Sequence, residues 1–104
     1  LKQPSRDVVN DVLWSDPLEG YGERTNPRGL GMVFGEDITT NVLNSLGIRQ
    51  IIRSHEPPKA KTSPWYTHHY KVITISTTNS YGPGFRPHML SIDCKKETLQ
   101  PIYI

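Results

Sequence analysis

The chain has 104 residues, room for one domain at most. Hydrophobic residues make up 35% and charged residues 21%, the composition of neither a disordered nor a membrane-spanning chain, and no apolar run approaches the roughly 20 residues that a bilayer span needs. Lys and Arg number 12 against 10 Asp and Glu, a net charge of +2 with no basic stripe of the kind that marks a nucleic-acid face, so neither membrane nor nucleic acid is expected as a partner.

The chain opens Leu1-Lys2-Gln3-Pro4, without an initiator methionine or a signal-peptide pattern, and reads as a piece of something longer. Up to about Arg28 it is rich in turn formers, Ser15-Asp16-Pro17, Glu19-Gly20, Tyr21-Gly22 and Asn26-Pro27. This part is expected to be irregular around a short apolar piece, Val8 to Trp14. Gly29 to Phe34 reads as a strand. Ile38, Val42, Leu43 and Leu46 then share a helical face, with Asp37 as the expected N-cap and Gly47 as a left-handed C-cap. Ile48 to Ser54 is β-branched and short, a strand. Pro57-Pro58 stop it, because proline has no amide hydrogen for the ladder. A loop from Lys59 to about Pro64 leads to strand character from Trp65 to Thr74. Thr77 to Arg86 is a polar loop, and strands follow near His88 to Asp93 and Leu99 to Ile104. The expected class is α+β, with one helix and about five strands. The single cysteine, Cys94, cannot form an internal disulfide, which suits a reducing cytoplasmic or nuclear setting.

Few residues stand out for chemistry. His55 lies where a strand stops and a loop begins, so the strand fixes it while the loop leaves it reachable. Neutral imidazole is a common metal ligand, and a hydrogen-bonded structural histidine fits the same position. Arg28 enters a strand between proline and glycine. Its planar guanidinium can hold two phosphate oxygens, or it is a surface arginine. His68 and His69 are adjacent on the expected strand and point to opposite faces, so they do not chelate one ion and read as structural or surface groups. His88 reads the same way. Asp16 is an Asx-turn residue before proline, and Tyr81 sits in a Gly- and Ser-containing loop. There is no Walker-type loop, no Cys-x-x-Cys and no His-Glu-x-x-His.

Taken in order, Asp11-Val12-Leu13-Trp14-Ser15-Asp16-Pro17, Gly20-Tyr21-Gly22-Glu23, Pro27-Arg28-Gly29, Phe34-Gly35, Arg53-Ser54-His55-Glu56 and Val72-Ile73-Thr74-Ile75 resemble consecutive motifs of the phosphoprotein phosphatase family. That family includes calcineurin and the type 1 and type 2A serine/threonine phosphatases. The resemblance runs from about Val8 to Ile104, and Arg53 to Glu56 is similar to the members with EF-hands. It implies that residues 1–104 are the carboxy-terminal part of a catalytic domain, a metallophosphoesterase-type β-sandwich flanked by helices. It implies a two-metal phosphomonoesterase, in which a metal-activated water attacks phosphorus. His55 matches a histidine metal ligand, Arg28 an arginine that binds the substrate phosphate, Tyr81 a tyrosine bordering the site, and Asp16 a supporting carboxylate. The implied cofactors are two divalent or trivalent ions (manganese, iron or zinc) with most ligands outside this chain. The implied partners are a phosphoprotein substrate, the remainder of the catalytic domain, and a regulatory subunit or domain.

The sequence departs from the family in two places. Beyond the Val72 to Ile75 strand the family carries Ser-Ala-Pro-Asn-Tyr; with Tyr81 set on its tyrosine, Ser80 takes the asparagine's place and Gly82 stands where a cysteine is common, whereas setting Asn79 on the asparagine would require an inserted residue. The stretch Pro57 to Pro64 also lacks the usual Gly-Tyr pattern. The motifs Gly-Asp-x-His-Gly, Gly-Asp-x-x-Asp-Arg-Gly and Gly-Asn-His-Glu, which supply most metal ligands, are absent from the 104 residues. The fragment alone is therefore expected to be inactive. An alternative is a non-catalytic, phosphatase-like scaffold or binding module within a larger assembly.

Overall fold

The segment expected to be irregular forms a helix, α1 (Arg6–Trp14), in the computed structural model, which describes residues 2–104. Ser5 is extended and its Oγ accepts the Val8 amide at 3.4 Å, an N-cap. Asp7 in the first turn complements the positive end of the helix. Val8 with Val12, and Val9 with Leu13, are four apart and share a face. β-Branched and short polar residues have modest helix propensity, and the turn formers after Trp14 dominate the composition. The local cap outweighed both.

The described residues form three helices and eight strands, a mixed α+β chain with more elements than the one helix and about five strands expected. They divide into two units. The first holds residues up to Ile51 together with Tyr66–Val72; the second holds Ile52–Trp65 and Ile73–Ile104.

In the first unit, β1 (Asp16–Pro17), β2 (Glu23–Thr25) and β3 (Met32–Phe34) form a sheet in the order β1-β3-β2. Strand β1 runs parallel to β3 with Asp16 opposite Val33, and β2 runs antiparallel to β3 with Arg24 opposite Val33. Helix α2 (Glu36–Leu46) follows β3 directly. Its N-cap is Gly35, not Asp37. A Cβ at Gly35 would lie 2.5 Å from the Gly20 carbonyl oxygen and from Tyr21 Cα, so the chain crossing there leaves room only for glycine. The Glu36 amide donates to Gly20 O at 2.8 Å, and Asp37 Oδ1 accepts the Gly22 amide at 2.9 Å. Asp37 therefore ties down the preceding loop rather than its own helix. Gly47 closes α2 in the left-handed region (φ 63°), as expected. Its amide reaches Asn44 O and the Ile48 amide reaches Leu43 O, a Schellman closure. Thr39 and Leu43 are the buried residues of α2, and Val33 and Val72 join Leu43 as buried apolar groups of this unit.

Strands β4 (Ile51–Arg53), β5 (Trp65–Thr67) and β6 (Val72–Thr74) make a second sheet, order β4-β6-β5, and each has residues in both units. The single strand expected from Trp65 to Thr74 is thus two strands with a turn between. His68, His69 and Tyr70 all have positive φ (54°, 53° and 65°). His68 is fully buried and accounts for the turn: one ring nitrogen meets Thr39 Oγ1 and the other the Leu18 carbonyl, both at 2.9 Å. A carbonyl can only accept, so Nε2 carries a hydrogen, and in the neutral ring Nδ1 accepts from the threonine hydroxyl. His69 is exposed and meets Glu36. One histidine is structural and the other is a surface group, in a turn rather than on a strand.

In the second unit, helix α3 (Pro57–Ala60) starts at the prolines that stop β4, and extends into the expected loop. Proline suits the first helical turn because its missing amide hydrogen would have no partner there. Ile73 and Thr74 of β6 are buried, and Ile73 and Ala60 are the buried apolar side chains of this unit. The polar loop through Arg86 ends in an antiparallel hairpin, β7 (His88–Asp93) and β8 (Thr98–Tyr103), with His88 opposite Tyr103. Asp93 Oδ1 accepts the amides of Lys95 and Lys96 at 3.0 Å and sets the hairpin turn.

Candidate functional site

Strand β4 ends at Arg53, and α3 begins at Pro57 with Glu56 as its N-cap residue. Only Ser54 and His55 lie between these fixed points. His55 is exposed and has φ 72°, a left-handed backbone that costs a side-chain-bearing residue about 1–2 kcal/mol. Its loop lines a cavity of about 180 Å³ together with Glu56, Ser76, Thr78 and Tyr81. His55 and Tyr81, singled out separately in the sequence, share this cavity, and both belong to the second unit.

The loop bearing Tyr81 is held by its own hydroxyls. Thr78 Oγ1 lies 2.7 Å from Ser80 Oγ and accepts the Ser80 amide at 3.1 Å. Gly82 (φ 103°) turns the chain back, its amide reaching Asn79 O at 3.3 Å. Ser80 thus builds the turn, and a side chain at Gly82 would be strained. The Tyr81 ring packs at a tilt on Phe85, centroids 5.5 Å apart.

Three residues stood in the motifs without a role of their own: Arg53, Glu56 and Thr74. Arg53 Nη1 donates to Glu56 Oε2 at 2.6 Å and to Thr74 Oγ1 at 3.3 Å. The Arg53 and Glu56 side chains are 11% and 7% exposed, so this ion pair is largely removed from water. The signal was an arginine and a glutamate three apart around a strand end. That spacing is read as a helical pair, and the strand assignment concealed it.

Arg28 and Asp16 meet in the first unit. Arg28 Nε donates to Asp16 Oδ2 at 2.7 Å and Nη2 to Oδ1 at 2.9 Å, a two-pronged pair. Asn26 Nδ2 also donates to Asp16 Oδ2 and to Trp14 O, both at 2.7 Å. The Asn26 carboxamide oxygen accepts the Arg28 amide at 3.0 Å. The Trp14 ring lies under the guanidinium, 5.1 Å from centroid to Cζ. Asp16 is therefore a β1 residue that fixes the arginine plane, more than a turn former. Gly31 permits the tight return, since a Cβ there would lie 2.5 Å from the Trp14 carbonyl carbon.

His88 begins β7, as expected, and is fully buried with Nδ1 3.4 Å from Arg86 O. A metal centre needs several donors, and among the described residues no three His, Cys, Asp or Glu side chains come together to hold an ion. Glu56 beside His55 is engaged by Arg53. His55 is therefore a single exposed imidazole at the edge of this cavity. No helix among the described residues is long and apolar enough to cross a membrane.

Comparison with known proteins agrees with the motifs. No family model matches the chain. The human serine/threonine-protein phosphatase with EF-hands 2 is 32% identical over 94% of this chain and 15% of that protein. The human serine/threonine-protein phosphatase with EF-hands 1 is 40% identical over 78% of the chain and 12% of that protein. Saccharomyces cerevisiae serine/threonine-protein phosphatase T is 47% identical over 52% of the chain and 11% of that protein. The chain belongs to the phosphoprotein phosphatase family, that of the serine/threonine-protein phosphatases. It spans well under a quarter of the length of these relatives.

Proposed function

We propose that this chain is the carboxy-terminal part of the catalytic domain of a serine/threonine phosphoprotein phosphatase that hydrolyses phosphomonoesters. The reading rests on one observation above others: His55 and Tyr81 line one cavity at the end of β4. His55 would be a ligand to one of two metal ions, manganese, iron or zinc, whose other ligands lie outside these residues. Such ions supply Lewis acidity, activating water and neutralising charge on the phosphoryl group.

The chain's own residues have separate tasks. The His55 imidazole donates a nitrogen lone pair from a loop fixed at both ends. Tyr81 walls the cavity and restricts water on that side. Arg28, with one edge held by Asp16, offers guanidinium N–H groups in a fixed plane to phosphate oxygens. Asp16 orients Arg28 and does not transfer a proton. The substrate is a phosphoprotein, the further partners are the rest of the catalytic domain and a regulatory subunit or domain, and the setting is cytoplasmic or nuclear.

The test uses protein that carries this chain with the Gly-Asp-x-His-Gly, Gly-Asp-x-x-Asp-Arg-Gly and Gly-Asn-His-Glu motifs. Manganese-dependent hydrolysis of a phosphoserine peptide is expected, with His55→Ala lowering both the rate and the bound metal. Binding of the phosphopeptide without hydrolysis by the unsubstituted protein would favour a phosphatase-like binding module instead.

A further inference from the structure

We infer that the Arg53–Glu56 ion pair is a positioning device for His55: it sets the geometry in which the imidazole meets its metal, and so sets metal affinity. The inference rests on the reading of His55 as a metal ligand.

The geometry carries it. Arg53 is fixed to the sheet, its carbonyl accepting the Ile75 amide at 2.9 Å and its guanidinium reaching Thr74 Oγ1 on β6. Glu56 is fixed to α3, its carbonyl accepting the Lys59 amide at 2.9 Å. The 2.6 Å contact between the two side chains closes a four-residue loop whose ends are anchored to different elements. His55 is the residue of that loop with a left-handed backbone. A non-glycine residue keeps such a conformation only where its surroundings over-determine it, and such strain concentrates at functional sites.

Stability is a poor explanation for the pair. Taking a carboxylate and a guanidinium out of water costs about as much as their attraction returns, so a buried ion pair is weak support for a fold. What it does supply is a fixed separation and direction. A metal centre needs that, because ligands held loosely lose affinity. Partners that orient a ligand from behind typically change metal affinity by about 10- to 100-fold. Arg53 and Glu56 act through the backbone on either side of His55, so the lower end is expected.

The experiment measures manganese affinity by titration of metal-depleted protein carrying the whole catalytic domain, alongside melting temperature and the imidazole signals of His55 in nitrogen-correlated NMR. Glu56→Gln and Arg53→Met are each expected to weaken manganese binding on the order of tenfold, to broaden or shift the His55 signals, and to regain kcat at excess manganese. Glu56→Asp keeps the charge and shortens the reach by one methylene. It is expected to act in the same direction, and it serves where the harsher changes do not fold. Added to His55→Ala, none of these changes should weaken binding further. Wild-type affinity in the pair variants, beside the expected loss in His55→Ala, overturns the positioning role alone. A full additional loss on top of His55→Ala also overturns it. Unchanged affinity in His55→Ala removes the metal reading and the positioning role together.

Discussion

Asp16 accepts at once from Asn26 Nδ2 and from the Nε and Nη2 of Arg28. Its side chain is 8% exposed and that of Arg28 is 18% exposed, so both charges are largely removed from water. Removing one partner of such a pair leaves the other desolvated, a loss of about 3 kcal/mol. Asp16→Asn keeps the shape and is expected to lower the melting temperature and raise KM for a phosphopeptide, because the guanidinium is no longer held in plane. Steady-state kinetics and calorimetry on the same preparation check both effects. Glu36 shows a second effect at this scale. The Lys71 ammonium, 2.9 Å away, and then His69 hold its carboxyl down at about 2 from an ordinary 4.5. A lowered folded-state pKa gives stability that is complete above pH 4.5 and is lost as pH falls through 2. Glu36→Gln is expected to flatten acid unfolding across that window, an effect that salt weakens because the pair is solvated. Urea midpoints measured from pH 5 downward, at low and high salt, decide it. Single residues were unevenly legible in the sequence. The motifs singled out Arg28, Asp16 and His55, and the register beyond Ile75 singled out Tyr81; the structure pairs Arg28 with Asp16 and puts His55 and Tyr81 on one cavity. The Arg53–Glu56 pair was hidden, because its partners become neighbours only when a strand ends and turns.

The elements followed local rules where those rules were strong. Gly47 ended α2 because a left-handed C-cap has a residue-level signature. The start of α2 moved from Asp37 to Gly35 because a long-range crossing took precedence over side-chain capping. The Gly20–Tyr21 backbone passes so close that only glycine fits, and Asp37 is drawn to Gly22. No sequence window contains that crossing. Helix α1 was obscured by the turn formers that follow it. The strand expected from Trp65 to Thr74 broke because His68 is drawn inward to Thr39 and Leu18. Gly35→Ala tests the crossing. A methyl group 2.5 Å from backbone atoms cannot be relieved by a rotamer change, and overpacking of this kind costs about 1–3 kcal/mol. Asp37→Ala leaves the backbone in place and should cost about 1 kcal/mol through the lost bond to the Gly22 amide. Chemical denaturation of the two variants should rank Gly35→Ala as the more destabilised. The reverse order would mean that the side-chain tie, not the close approach, fixes the start of α2.

For the whole molecule, the limiting quantity is buried apolar surface. The buried hydrophobic residues among those described are Val33, Leu43, Ala60, Val72 and Ile73, and one of these is an alanine. Against them stand Val12 at 73%, Leu46 at 65%, Ile92 at 54% and Ile104 at 76% exposure, on α1, on α2, on β7 and just after β8. Burial stabilises by roughly 25 cal/mol per Å² of apolar surface, while each ordered residue loses about 1–2 kcal/mol of backbone entropy. A set of buried side chains this small leaves little margin. A two-stranded hairpin adds little on its own, since isolated hairpins are marginal in water. The 104 residues produced alone are therefore expected to melt broadly, bind a hydrophobic dye and aggregate as concentration rises. The same residues within a complete catalytic domain should melt in one sharp transition, because the apolar faces of α1 and the hairpin then have surfaces to cover them. Calorimetry of both proteins checks this through the ratio of calorimetric to van't Hoff enthalpy. A ratio near one for the isolated monomer, with no dye binding, would show that the small core suffices. The exposed apolar faces would then need another explanation than a surface that covers them in a complete catalytic domain.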